Sequence, residues 1–503
     1  MTIATLQPQQ PLKSTRPRPI VSISLALLIS LSPVIPFPAL TGTGYHDGQR
    51  IVGACFFALT LTVAAFRLLT APCCHRLLGL LTFQLLFLFT TLGLLSALVS
   101  ISPRHAFYEW ANLVGLTLTA WVMAQEVYAI PVKIIDTVIL LCGIGCGLYI
   151  LQALLAHGTS LFNAESAEIQ HQIIGFDNFR FLNHIQTIGL PMLGLLAVRG
   201  SQADSPKYAN SFFWMFVASM WWMLTFVSAG RGTFVGVWAG AIAVMLLHQQ
   251  RAYPWFRVMV ITCAAGLVAY FVLYVGLPLL YGLEAPELFG DVLQRTVDNP
   301  TSSRLVLWQL ASELVAAHSW LGVGPLHYAH YAQQKGFNGH PHNFLFQIAA
   351  EWGLPALFTL TVLMYFAGKK MLQINTITVQ PVDIKNQTIS IVMLATGIAI
   401  AVDSMVSGLL VMPSSQLWVT LYAGCAWGWA ASRTAGQSFP TYSLSLKSRF
   451  GAVGFIVLLL VSFLNGLWPE ILELRARENT LRTTQAHEQT VIFKPRLWRF
   501  GYF

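Results

Sequence analysis

Gly339-His340-Pro341-His342-Asn343-Phe344-Leu345 decides how this chain is read. The residues before it form a polar loop, and an apolar run begins at once from Phe344. His342 is therefore expected where a membrane helix meets water. Two histidines and an asparagine fed into a helix start are an unusual way to build only a lipid span. What they face is the functional question.

Outward from that stretch the chain is mostly apolar. Of 503 residues, 55% are hydrophobic and 10% charged, where a soluble domain carries about a quarter charged residues. Many apolar runs approach the roughly 20 residues that cross a bilayer core. Backbone amides in lipid must be satisfied internally, so the runs predict helices. Thirteen spans are expected, near 20–40, 51–70, 78–100, 107–125, 134–156, 182–198, 211–228, 232–247, 258–281, 343–366, 389–411, 415–432 and 450–468. The run at 182–198 looks least like a lipid span, because it holds Pro191 and starts near Asn183 and His184. The expected fold is an all-α polytopic membrane protein of about 12–13 helices. Its segments are a cytoplasmic tail (1–19), nine helices (20–281), a large periplasmic loop (282–342), four helices (343–468) and a C-terminal tail (469–503).

Basic residues set the orientation. With Lys13, Arg16 and Arg18 in the cytoplasm, sixteen of the 29 lysines and arginines fall on that side and seven opposite. The other six follow residue 468, on a tail that an odd span count puts outside. The net charge of +9 is mostly this topology signal; no clustered basic soluble face suggests nucleic acid. The first apolar run lacks a small-x-small cleavage site and reads as a retained span. The seven cysteines fall in spans or on the cytoplasmic side, which argues against a disulfide framework. Cys142 and Cys146 share a helix face but read as packing residues.

The polar groups collect on the outer side. Tyr45, His46 and Asp47 in the first outer loop, and Arg104, His105, Tyr108 and Glu109 at the second, read as ordinary loop polarity. Arg180, Asn183, His184, Gln186 and Thr187 run into a span, where polar groups face the bundle interior. Arg231 sits between glycines in Ser228-Ala229-Gly230-Arg231-Gly232, at a helix start whose dipole is also positive. Pro300-Thr301-Ser302-Ser303 is an N-cap signal. It opens an amphipathic helix from Arg304 to about His318, with Leu305, Trp308, Ala311 and Val315 on its apolar face. Glu351-Trp352-Gly353-Leu354-Pro355 should break or kink the helix after His342, and Glu351 needs a partner there. Asp403 and Gln416 lie towards the same side.

Arginines at helix N-termini make an anion site, and guanidiniums bind phosphate bidentately. A diphosphate whose lipid tail stays in the bilayer is the natural ligand. His342 is the candidate base, kept neutral by its helix end and the arginines. The chain has no HExxH, Walker loop or Gly-x-Ser-x-Gly, and the loop histidines are a weak zinc set.

Taken together, SAGRG (228–232), SRLVLWQ (303–309), LGVGP (321–325), HPHNFLFQIAAEWGLP (340–355) and DSMVSGLLVMPSSQLW (403–418) resemble the O-antigen ligase superfamily. This family of bacterial inner-membrane glycosyltransferases includes O-antigen polymerases and protein O-oligosaccharyltransferases. The resemblance spans roughly 180–432. It implies a lipid-dependent (GT-C type) fold in the inner membrane with the active site facing the periplasm. It also implies metal-independent, inverting transfer of a glycan from undecaprenyl diphosphate, with no cofactor. Arg231 and Arg304 match the family's diphosphate-binding arginines and His342 its catalytic histidine. Arg180, His184, Gln186 and Asn343 complete the expected substrate-binding set. The expected acceptor is a pilin-like protein, to which RFLNHIQT (180–187) and an outer tail incline the reading, with lipid A–core a close second. A polysaccharide polymerase, or a transporter or flippase, are the alternatives.

Overall fold

The computed structural model describes residues 18–70, 73–75, 77, 79–164, 173–200, 211–283, 304–376, 384–434, 441–443, 445–488 and 495–499. Most of the N-terminal tail and the proposed N-cap at 300–303 lie outside these residues. In chain order the principal helices are α1 (Ile20–Leu31), α2 (Tyr45–Thr70), α3 (Leu80–Leu98), α4 (Pro103–Ala129), α5 (Pro131–Phe162) and α6 (Phe179–Gly200). They continue with α7 (Ser211–Val227), α8 (Arg231–His248) and α9 (Tyr253–Tyr270), which runs on through a π-helical turn at Phe271–Gly276. Then come α10 (Arg304–Ala317), α11 (His327–Gln334), α12 (Phe344–Trp352), α13 (Leu354–Thr376), α14 (Ile384–Asp403), α15 (Pro413–Arg433) and α16 (Leu446–Glu488). Three-residue strands at Cys73–His75 and Thr441–Ser443 pair antiparallel.

Helices stand at all thirteen places where spans were expected. Among the described residues eight are long and apolar enough to cross a membrane, and Ile20–Val34 and Ser211–Val227 are shorter apolar helices. The protein is an all-α, multi-pass membrane protein. Its outward faces carry large apolar side chains such as Phe83, Phe87, Phe212 and Leu246, as lipid-facing surfaces must.

The axis of the bundle is α6, the run that looked least like a lipid span. Every residue from Phe181 to Arg199 is buried, so its polar side chains meet other helices rather than lipid. Pro191 is accommodated without ending the helix, and its carbonyl accepts from Trp255 Nε1 at 3.2 Å. At one end of the bundle Glu126 accepts from the Ser22 hydroxyl at 2.7 Å and from Arg67. The opposite end carries the starts of α2, α4, α6, α8 and α12.

The expected break after His342 is present. α12 stops at Trp352, Gly353 takes φ +85°, and α13 begins at Leu354. A β-carbon on Gly353 would run into the Trp320 carbonyl, so both the backbone angle and the close approach call for glycine. The loop helix α10 forms as expected, but with a different buried face. Leu310, Ala311 and Leu314 pack against Val323, Tyr328, Ala332 and Ala350, and Leu307 is buried as well, while Leu305 turns outward. The reason is that α11 and α12 lie on that side, and a partner settles which part of a broad apolar stripe is covered.

The first two outer loops are also more than loop polarity. His46, Asp47 and Arg50 are buried, and the Arg499 N–H donates to Asp47 Oδ1 at 2.8 Å. The segment around Arg499 thus returns to the end of the bundle that carries His342.

Candidate active site

The His342 loop is held from three directions. Asn343 caps α12, its Oδ1 accepting from the Leu345 and Phe346 amides at 3.0 and 3.1 Å. The Phe344 N–H donates to the Ser404 carbonyl at 3.1 Å, tying the helix start to the end of α14. Trp308 of α10 donates its indole N–H to the Pro341 carbonyl at 3.0 Å and stacks on Phe346 with ring centres 5.7 Å apart. These ties hold His342 at φ +53°, in the left-handed region that non-glycine residues seldom occupy.

The two histidines differ. His340 is buried; its Nδ1 accepts from the His342 N–H at 3.3 Å, and the rings lie 4.1 Å apart. A β-carbon on Gly408 would come within 2.8 Å of His340 Cε1, so the turn after α14 packs closely over that ring. His342 is half-buried, and its Nε2 lies 3.3 Å from Asn338 Nδ2.

Burial and, after it, the charges of Arg304 and Arg180, with His184, lower the proton affinity of His342 to a pKa of about 3. Arg304 is itself pushed below its usual value, by burial first and then by Arg231 and Arg180, with Asp403 acting the other way. These couplings place Arg180, Arg231, Arg304, His184 and His342 in one neighbourhood. Arg304 stands in the first turn of α10 and Arg231 in that of α8, so two positive helix ends add to the guanidinium charge.

The Arg231 turn is built from small residues against α6. A β-carbon on Gly230 would lie 2.8 Å from the Asn183 amide, and one on Gly232 would lie 2.5 Å from Asp403 Oδ1. Asn183 Oδ1 accepts from the Ser228 hydroxyl at 2.5 Å, and its carbonyl accepts from the Thr233 hydroxyl at 2.6 Å. Thr187 donates to Asp403 Oδ2 at 2.6 Å. The polar residues that suggested a binding face on α6 largely serve this packing.

Two members of the expected set are occupied elsewhere. Gln186 points into the bundle and donates to the Trp221 carbonyl at 2.9 Å. The Asn343 oxygen is engaged in capping α12. His327 is likewise engaged, its Nε2 accepting from the Ser102 amide at 2.9 Å and its Nδ1 lying 2.8 Å from the Pro325 carbonyl. Among the described residues no group of three or more His, Cys, Asp or Glu is placed to hold a metal ion.

Sequence reasoning did not single out Asn338 or Ser404, which meet the loop through single hydrogen bonds. It also passed over Arg496, which approaches the far side of α12 from the chain end. No local pattern marks any of them.

A cluster of guanidiniums beside a neutral imidazole can bind a multiply charged anion and accept a proton next to it. No curated protein matches the chain. Residues 215–361 match a family model described as O-antigen ligase, and that window contains Arg231, Arg304 and His342. Over this window the chain is similar to the O-antigen ligase family, in keeping with the resemblance that its sequence carries.

Proposed function

We propose that the protein is an inner-membrane glycosyltransferase that moves a glycan en bloc from undecaprenyl diphosphate to an acceptor hydroxyl at the periplasmic face. The observation that carries this reading is the meeting of Arg180, Arg231 and Arg304 with a neutral His342. The arginines grip the diphosphate while its polyprenyl tail stays in lipid. His342 takes the proton of the acceptor hydroxyl as that oxygen attacks the anomeric carbon. The bond from that carbon to the diphosphate oxygen breaks, and its electron pair leaves with undecaprenyl diphosphate. The arginines stabilise the charge that grows there. Attack opposite the leaving group inverts the anomeric centre, and the residues named suffice without a metal. Arg180 and His184 belong to the diphosphate end of the site, with Asn343 holding its helix start and Gln186 supporting α6.

For the acceptor we favour a hydroxyl of a pilin-like protein over lipid A–core. The stretch RFLNHIQT (180–187), which inclines the resemblance to the protein-modifying members, supports that choice.

The test is transfer of a labelled glycan from its lipid diphosphate, with wild type and His342→Ala. Purified pilin-like protein, lipid A–core and a second lipid-linked glycan are offered in turn. Labelled protein supports the reading, and labelled lipid A–core moves the acceptor to the ligase type. Extension of the lipid-linked glycan makes the protein a polymerase. No transfer to any of them overturns the transferase reading in favour of a transporter or flippase.

A further inference from the structure

The segment Pro495–Arg499 is built into the bundle. Arg496, Leu497 and Trp498 are 1–2% exposed, although they follow the last helix. Arg496 Nη2 donates to Glu351 Oε2 at 2.9 Å and lies 3.5 Å from Glu109 Oε1. With the Gln347 amide turned to present its oxygen, both terminal nitrogens of Arg496 donate to it, at 2.9 and 2.7 Å. The Arg496 carbonyl accepts from Arg50 Nη2 at 3.1 Å, and Arg50 also donates to the Tyr108 hydroxyl at 2.9 Å. Arg499 is tied to Asp47 by its backbone.

Gln347 and Glu351 are four residues apart on α12, so they share a face one and two turns below the Asn343 cap. α12 is nine residues long and directly continues the His340–His342 loop. A short helix broken at Gly353 has little of its own to fix its axial position. The Arg496 guanidinium holds both of its inward polar groups, and Glu351 in turn accepts from the Tyr328 amide of α11 at 3.1 Å. Arg496 is also close enough to His340 for its charge to act on that ring.

We infer that the segment Pro495–Arg499 is an internal strap, and that Arg496 is a positioning residue that sets His342 for proton transfer by fixing α12 from behind. Arg496 is committed to Glu351, Glu109 and Gln347, and has no part in holding the donor. Its removal therefore acts on turnover rather than on donor affinity. This inference rests on the transferase reading for its catalytic consequence, but not for its structural one.

The test compares wild type, Arg496→Ala, Arg496→Lys and the double variant Arg496→Met/Glu351→Gln in the full chain. Arg496→Ala leaves Glu351 buried and uncompensated and is expected to lower the melting temperature. The double variant removes both charges and restores it. The expected result is a fall in kcat of about tenfold or more in Arg496→Ala and in the double variant. The KM for the lipid diphosphate donor stays within about twofold, and Arg496→Lys recovers part of the rate. Amide exchange of residues 338–346 is read on the same proteins without substrate and is expected to rise in both variants that lack the cation. A stable double variant with wild-type kcat, a loss carried by donor KM, or unchanged exchange would each overturn the strap. If wild type transfers no glycan, the transferase reading falls, and the exchange measurement alone decides whether Arg496 positions the loop.

Discussion

The indole nitrogen of Trp308 donates to the carbonyl of Pro341 at 3.0 Å. That bond joins the helix that begins with Arg304 to the loop that carries His342, so it helps set the spacing between those two side chains. The second contact is the stack of Trp308 on Phe346. Trp308→Phe keeps an aromatic face but loses the donor, a change of about 1 kcal/mol for a neutral hydrogen bond. Glycan transfer should slow while the melting temperature shifts only slightly. Transfer at the wild-type rate would show that this spacing does not matter.

Arg304 and Arg231 are expected to bind phosphate oxygens through two parallel N–H donors. Lysine keeps the charge but offers a single point of contact. Arg304→Lys and Arg231→Lys should each weaken donor binding by about tenfold, or ~1.4 kcal/mol. Titration with a non-transferable lipid diphosphate measures this directly. Affinity unchanged in both variants would remove the arginines from the site.

The free protein holds His342 at a pKa of about 3, through burial and then the charges of Arg304 and Arg180. An imidazole so depressed is neutral at physiological pH but a weak base. A bound diphosphate places negative charge against those cations and raises the proton affinity of His342. Protonation disables the base, so activity is lost as pH falls through the pKa of the relevant state. The acid limb of kcat/KM for donor, which reports the free enzyme, should therefore lie at lower pH than the limb of kcat. Over about pH 4 to 8 kcat should show an acid limb while kcat/KM stays nearly flat, and coincident limbs near the ordinary histidine value would contradict the scheme.

Gly353 combines a φ of +85° with a carbonyl where a β-carbon would go. Gly353→Ala should cost about 1–3 kcal/mol of strain, and more if the Trp320 carbonyl has to move. Thermal unfolding of the purified variant reads the first effect. A melting temperature equal to wild type would mean that the break between α12 and α13 tolerates a side chain.

The sequence by itself determined the membrane class, the positions of the helices, the loop helix after Arg304 and the break at Gly353. All of these follow from local composition, because apolar run length, an arginine after a polar turn and a Gly-Leu-Pro step act over a few residues. It also marked Arg231, Arg304 and His342, which stand at helix starts and are visible as charge beside an apolar run. Tertiary structure decided the rest. That α6 is the buried axis, that Gln186 turns to Trp221 and that Leu307 rather than Leu305 faces inward all depend on which helix lies alongside. The partner that Glu351 requires is Arg496, 145 residues away, and no local pattern can name it. A buried carboxylate states only that a cation must come, and folding in three dimensions supplies it from the chain end.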